Sequence, residues 1–223
     1  MNIWLVQTGE LLPLDNSVKK MRTALLAEKI IERGHSVVWW TSAFNHFNKK
    51  WLFRKDIMFE INEKYKIYAL KGTGYKKNIS LSRFIDHRIV GWKFKKLISK
   101  MPKPDVIVAS MPSYELAYEA VKFSKKYNIP IVVDIRDQWP DIFLKHIPLK
   151  LRSLLKIALY RDFKMQKYLF RYATCLVTMM NSILKWGLNK ATREKNKYDK
   201  VFYLGAKKIE IKPVKKFDSL STY

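Results

Sequence analysis

The chain has 223 residues, 48% of them apolar, and a formal charge of +25 from 44 Lys and Arg against 19 Asp and Glu. That content suits one large domain with an ample core, and only 7 Gly and 8 Pro exclude a low-complexity or collagen-like chain. A lone Cys175 excludes an intramolecular disulfide. The charge predicts an anionic partner (nucleic acid, anionic lipid or a phosphate-bearing metabolite) unless it reflects only a lysine-rich proteome.

Asn2 to Val6 (NIWLV) predicts a strand, followed by a loop over 7–17 holding Gly9, Glu10, Pro13, Asp15 and Asn16. A helix capped near Asn16 or Ser17 follows, with Met21, Ala24, Leu25, Leu26, Ala27 and Ile31 apolar and Gly34 just past its end. Ser36 to Thr41 reads as a second buried strand, completing a right-handed βαβ unit. Met58 to Asn62 and Tyr65 to Leu70 predict two short strands. A loop with Gly72 and Gly74 leads to a helix over Ser82 to Lys100. Asp105 to Ala109 is a further strand, Tyr114 to Tyr127 a helix, and Ile129 opens the strand of IPIVVDIRDQWPD. Beyond it come a helical stretch over Leu149 to Tyr172, a strand at Thr174 to Met180, a helix from Asn181 and a strand at Lys200 to Leu204. The tail from Ala206 reads as linker. Alternating strands and helices predict an α/β, Rossmann-like doubly wound and mostly parallel sheet with helices on both faces. No charged and apolar leader precedes the first strand, and no apolar run nears the ~20 residues that span a bilayer. The expectation is therefore a cytoplasmic protein.

Open α/β sheets bind ligands outside the carboxyl ends of their strands. Arg136 and Asp137, released directly from a strand read as buried on both faces, are accordingly the first candidates for chemistry. Arg136 would hold a phosphate or sugar oxygen in its planar fork while Asp137 orients or deprotonates a hydroxyl; alternatively the two form a local ion pair. Asp141 follows them, and Asp134 inside the strand is either a further buried-carboxylate candidate or a helix cap. The loop from Gly9 to Asn16 occupies the usual anion-binding position between first strand and first helix, or is a turn that caps the helix. It lacks GxGxxG, and no P-loop is present, so neither a dinucleotide fold nor a P-loop NTPase is expected. Ser110 and Ser113 end the neighbouring strand and either face the crevice or cap the next helix, with capping by Ser113 the favoured expectation. None of His35, His46, His87 and His146 pairs with another at metal spacing, so no metal is expected. Two basic stretches remain. One carries Arg83, Arg88, Lys93 and Lys96, the other Lys150, Arg152 and Lys156, each interleaved with aliphatic or aromatic residues. Both suit an anionic membrane surface, or are solvated faces of ordinary packed helices.

Three segments together, GELLPLDNSVKKMRTALLAEKIIERGHSVVWWTS, DVIVASMPSYELAYEA and IPIVVDIRDQWPD, carry a resemblance that covers nearly all of residues 2–205. The chain resembles the amino-terminal half of family 4 glycosyltransferases of the GT-B fold. The closest branch is the fucosamine-transferase-like one of bacterial surface polysaccharide synthesis (O-antigen or capsule). The resemblance implies two Rossmann-like domains across a cleft, the first binding the acceptor and the second a nucleotide-sugar, with retaining transfer and no metal or other cofactor. It implies an acceptor saccharide on a polyprenyl diphosphate at the inner face of the cytoplasmic membrane, with both basic stretches toward the lipid. The Gly9–Asn16 loop would face the donor phosphates. Arg136 and Asp137 fall where many relatives carry a histidine, which makes Asp137 the stand-in for the acceptor-activating group. The expected arrangement is residues 1–205 as the acceptor domain, 206–223 as linker, and a donor-binding domain that this chain does not contain, leaving it inactive alone. A basic nucleic-acid-binding module and a non-catalytic membrane-recruiting subunit are the competing readings. Against the first, no recognition motif is present and no nucleic acid is expected as partner.

Overall fold

The computed structural model describes residues 1–15, 18–145 and 147–203. In chain order the elements are β1 (Asn2–Val6), α1 (Arg22–Glu32), β2 (Ser36–Ser42), β3 (Phe44–Asn45), β4 (Lys50–Trp51), β5 (Ile57–Asn62), β6 (Tyr65–Leu70), α2 (Leu81–Ile98), β7 (Val106–Ser110) and α3 (Tyr114–Tyr127). They continue with β8 (Ile131–Ile135), α4 (Asp141–Lys145), α5 (Leu149–Ala158), α6 (Tyr160–Tyr172), β9 (Cys175–Thr178), α7 (Asn181–Ala191) and β10 (Lys200–Val201). Eight strands form one sheet in the order β10-β9-β8-β7-β1-β2-β6-β5, parallel throughout except where β5 pairs antiparallel with β6. Strands β3 and β4 make a separate small hairpin that the periodicity did not predict, being two residues each.

Alternation along the buried strands divides the side chains between two layers. Ile3, Leu5, Val37, Trp39 and Ile67 face α1, where Ala24 and Ala27 pack closely against them. Trp4, Val6, Val38, Trp40, Ile107, Ile131, Val133 and Leu176 face the other way, beneath α2, α3, α6 and α7. Aromatic stacking anchors this second layer. Trp40 lies 4.4 Å from Tyr68 and 5.3 Å from Phe94, and Trp4 lies 5.4 Å from Phe123. The fold is thus the mostly parallel α/β architecture, with helices on both faces of the sheet.

Several expected boundaries move. Helix α1 begins at Arg22 with Met21 in the capping position and no side-chain cap from it. The expected caps, Asn16 and Ser17, lie outside the described residues. The 149–172 stretch is broken at Leu159 into α5 and α6, and Ser113 precedes α3 without a capping hydrogen bond from its hydroxyl. The last strand stops at Val201, and the linker expected from 206 lies outside the described residues.

Candidate functional site at the carboxyl edge of the sheet

The chain leaves β1 toward β2 on one side, then returns to place β7 on the other side of β1. Open sheets of this class place their ligand crevice at such a reversal, outside the carboxyl ends of the two strands concerned, here β1 and β7. The segments Gln7–Glu10 and Ser110–Ser113 bound it, and the Thr8 and Ser113 hydroxyls hydrogen-bond across it. Gly9 takes φ +86°, a left-handed conformation that carries the chain sharply out of β1.

On the α1 side of the crevice, four charges lock together. Arg136 donates from Nε to Asp134 Oδ2 at 2.7 Å, from Nη1 to Glu10, and from Nη2 to Ser110 Oγ at 3.1 Å and Thr23 Oγ1 at 3.2 Å. Arg22 Nη1 donates to both Asp134 oxygens at 2.9 and 3.0 Å. Glu10 accepts in addition from the Thr23 backbone N–H at 2.8 Å and from Thr23 Oγ1 at 2.9 Å. Its carboxylate therefore sits at the N-terminus of α1, where the helix dipole and unpaired N–H groups favour an anion. Glu10 thus supplies α1 with the capping acceptor that Met21 does not. Within the loop expected to face the donor phosphates, the chain's own Glu10 carboxylate therefore occupies this helix terminus. Arg136 has four of its five N–H groups engaged internally. Burial works to lower its pKa, but Asp134 and Glu10 outweigh burial and raise it. It is a strut, with no fork left for a ligand.

On the other side, beneath Gly9, lies a small chamber lined by Thr8, Ser42, His46, Tyr75, Asp86 and His87. His46 Nδ1 and the Tyr75 hydroxyl are 2.7 Å apart. Burial, reinforced by the charges of Lys49, Arg83 and His87, lowers the His46 pKa to about 4, so its imidazole is neutral at pH 7. Burial also pushes the Tyr75 phenol up to about 12. Asp86 is raised by burial against the opposing Gly74 and Thr73 backbone N–H bonds, and its Oδ1 pins the glycine loop at 2.7 Å from Gly74 N. His87 Nδ1 is 3.6 Å from Glu115, whose carboxylate oxygens are buried without a hydrogen-bond partner. Arg83 lies over the Trp139 ring at 4.4 Å, and Asp137 acts on it electrostatically. Asp137 is half-buried, with Oδ1 accepting from the Gln138 N–H at 2.7 Å.

The structure therefore gathers Gly9, Glu10, Ser110, Ser113, Arg136 and Asp137 along one edge. It does not bring Asp15 or Asp141 there. Asp15 lines a shallow hollow beside α1 with Lys20, Glu28 and Tyr65. Asp141 accepts from Lys190 and from Gln166 at 3.3 Å, stitching α4 to α7 and α6. Asn16 lies outside the described residues. Among the residues expected at a membrane, Arg83 is a correction, since it is 8% exposed and faces inward. Arg88 lies 3.6 Å from buried Asp162, and Lys93 pairs with Asp56 at 2.8 Å. Lys96 is exposed over Trp92, Lys150 and Lys156 are exposed, and Arg152 is half-buried.

Sequence reasoning missed Thr8, Arg22, Thr23, His46, Tyr75, Asp86, His87 and Glu115. A signal existed for part of the set: Arg83, His87, Val90 and Phe94 recur at i, i+4, i+7 and i+11, one stripe of α2, all buried. That stripe marks Arg83 and His87 as core-facing. Among the described residues no cluster of His, Cys, Asp and Glu could hold a metal. No helix among them is long and apolar enough to cross a membrane. Compared with protein-family models and with curated proteins, the chain matches none.

Proposed function

We propose that the chain is the acceptor-side half of a retaining glycosyltransferase, moving a sugar from a nucleotide-sugar to a saccharide carried on a polyprenyl diphosphate in surface polysaccharide synthesis. The observation that carries the reading is the reversal of strand order between β1 and β7, with Thr8, Ser113 and half-buried Asp137 at the carboxyl edge beside the Glu10–Arg136–Asp134 cluster. A hydroxyl acceptor needs two things from such a site: hydrogen-bonding groups that fix its orientation and a carboxylate that takes its proton as the new bond forms. The Thr8 and Ser113 hydroxyls serve the first, and Asp137 serves the second. Ser110 and Arg136 act one step back, holding Asp134 and Glu10 and so fixing the loops that present the crevice. The nucleotide-sugar belongs to a second domain facing this edge.

The lipid carrier explains a second feature. Helix α5 has no buried residue, and it exposes Leu149, Leu151, Leu154 and Ile157 at 73, 50, 65 and 73%. Lys150, Leu154 and Ile157 form one stripe at i, i+4 and i+7. In α6, Tyr160, Lys164, Lys167 and Arg171 repeat that spacing on its exposed side. The sole acid between Leu149 and Tyr172 is Asp162, which is buried and bonded to the Tyr114 hydroxyl at 2.7 Å. Aliphatic side chains flanked by uncompensated cations suit shallow insertion into an anionic leaflet, at about 1 kcal/mol per basic residue near the surface. The protein is accordingly read as peripheral at the inner face of the cytoplasmic membrane.

The test is transfer of labelled sugar from nucleotide-sugars to lipid-linked saccharide in membranes of cells expressing the chain with its donor-binding partner. Asp137→Asn should lower turnover about 10²-fold or more, the usual reach of a positioned acid–base group. Unchanged turnover in that variant removes the assignment.

A further inference from the structure

Beside the crevice, the β3–β4 hairpin, the glycine loop and the start of α2 enclose an open hollow of about 540 Å³. One wall is aromatic: Trp51 meets Phe44 edge-on at 5.2 Å, and Phe44 lies 4.8 Å from Tyr75. The rim is cationic and hydroxylated, with Lys49, Lys76, Lys77, Thr73, Ser80 and Ser82. No acidic side chain lines it.

Lys49 on the rim and Arg83 behind it lack a close counter-ion among the described residues. Lys49 donates to Asn78 Oδ1 at 2.5 Å and to the His46 carbonyl, both neutral acceptors. Arg83 donates from Nη1 to the Asn78 carbonyl at 2.8 Å, also neutral, and its buried Nε has no partner. Among the described residues, neither forms an ion pair within 4 Å. Both lie over the Tyr75 ring, Lys49 at 5.1 Å and Arg83 at 5.5 Å, so two like charges converge on one phenol. The carboxylates of Glu115, Asp137 and Asp86 act on Arg83 only at longer range. Burial and the neighbouring Arg83 lower the Lys49 pKa, the direction expected of a cation whose anion is missing. The adjacent helix N-terminus is already capped by Ser80, so the charge excess lies in the side chains rather than in the helix.

We propose that this hollow binds an anionic monosaccharide unit, a pyranose bearing a phosphate or a carboxylate. The apolar face of the ring lies against Trp51, its anion is taken by Lys49 with Lys76 and Lys77, and its hydroxyls meet Thr73, Ser80 and Ser82. Aromatic side chains beside convergent polar groups are the usual composition of a small-molecule site, and the volume falls in the range of such pockets. Because the fold supplies cations but no carboxylate, neutral sugars lack the partner that compensates the converging charges. The site stands independently of sugar transfer, since binding is measured without any donor.

Isothermal titration of the full chain at low salt tests it, with glucose 1-phosphate, glucuronate, glucose and inorganic phosphate as probes. One or both anionic sugars should bind at least about tenfold more tightly than glucose or inorganic phosphate, and should weaken as salt rises. Which of the two binds identifies the anion. Lys49→Gln, the exposed double variant Lys76→Gln/Lys77→Gln, and Trp51→Leu should each reduce that affinity several-fold. Equal binding of glucose 1-phosphate and inorganic phosphate would overturn the sugar assignment. Unchanged affinity in both lysine variants would overturn the site.

Discussion

Replacing Arg136 by Met separates a structural strut from a ligand fork. The guanidinium has only 18% of its side chain exposed and joins Glu10 and Asp134, whose side chains are 3 and 9% exposed. Breaking a buried pair by removing one partner costs about 3–5 kcal/mol, because a charge is left uncompensated. Here the loss is moderated. Glu10 keeps the Thr23 N–H and hydroxyl, and Asp134 keeps Arg22 and Ser110. We therefore expect about 2–3 kcal/mol, measured as a shift in the urea midpoint at pH 7 with the m-value unchanged. Adding Glu10→Gln to Arg136→Met should restore part of the loss, since the double variant no longer buries that orphaned carboxylate. Arg136→Lys should recover little, because one ammonium cannot reach four acceptors placed around a planar fork. A loss below about 1 kcal/mol for Arg136→Met would refute the strut and return this residue to the list of ligand-binding groups.

His46 gives a pH signature. Its pKa falls from 6.5 to about 4 on folding, so the unfolded chain binds the proton first and stability declines as pH drops through that window. The full shift would correspond to ~3 kcal/mol, and about half that is expected at a half-buried site after solvent screening. His46→Gln should flatten the stability profile between about pH 6.5 and 4, and parallel profiles for parent and variant would contradict the argument. For α5, Leu154→Asp or Ile157→Asp should abolish flotation with vesicles containing anionic lipid while leaving thermal unfolding unchanged, because both side chains are mostly exposed. Equal flotation of parent and variants would place the contact elsewhere.

Much of the fold was legible because parallel strands buried on both faces leave continuous apolar runs. The helix predicted at Tyr114 to Tyr127 matches α3 at both ends, where Asn128 in the left-handed region stops it. The site was legible only in part, for physical reasons that differ by residue. Arg136 and Asp137 were found because they leave a buried strand at its carboxyl end. The role of Arg136 was not, because sequence cannot reveal that Glu10, 126 positions away, meets it. Glu10 likewise could not be foreseen at the start of α1, where its carboxylate accepts from the Thr23 N–H from outside the helix. Arg83 was grouped with the solvated lysines because it sits in a basic run. Its inward direction follows from helical phase, which places it above His87, Val90 and Phe94. The β3–β4 hairpin was invisible, being too short to show periodicity, and with it the approach of Lys49 to Asn78.

The most direct measurement is a hydrogen-exchange footprint of the full chain with a short-chain polyprenyl-diphosphate-linked saccharide. Bound acceptor should slow exchange at residues 8–10, 111–114 and 137–139, the backbone on either side of the β1–β7 crevice, with little change along β5 or α7. Protection confined to other surfaces, or none at saturating ligand, would contradict the assignment of that crevice as the acceptor site.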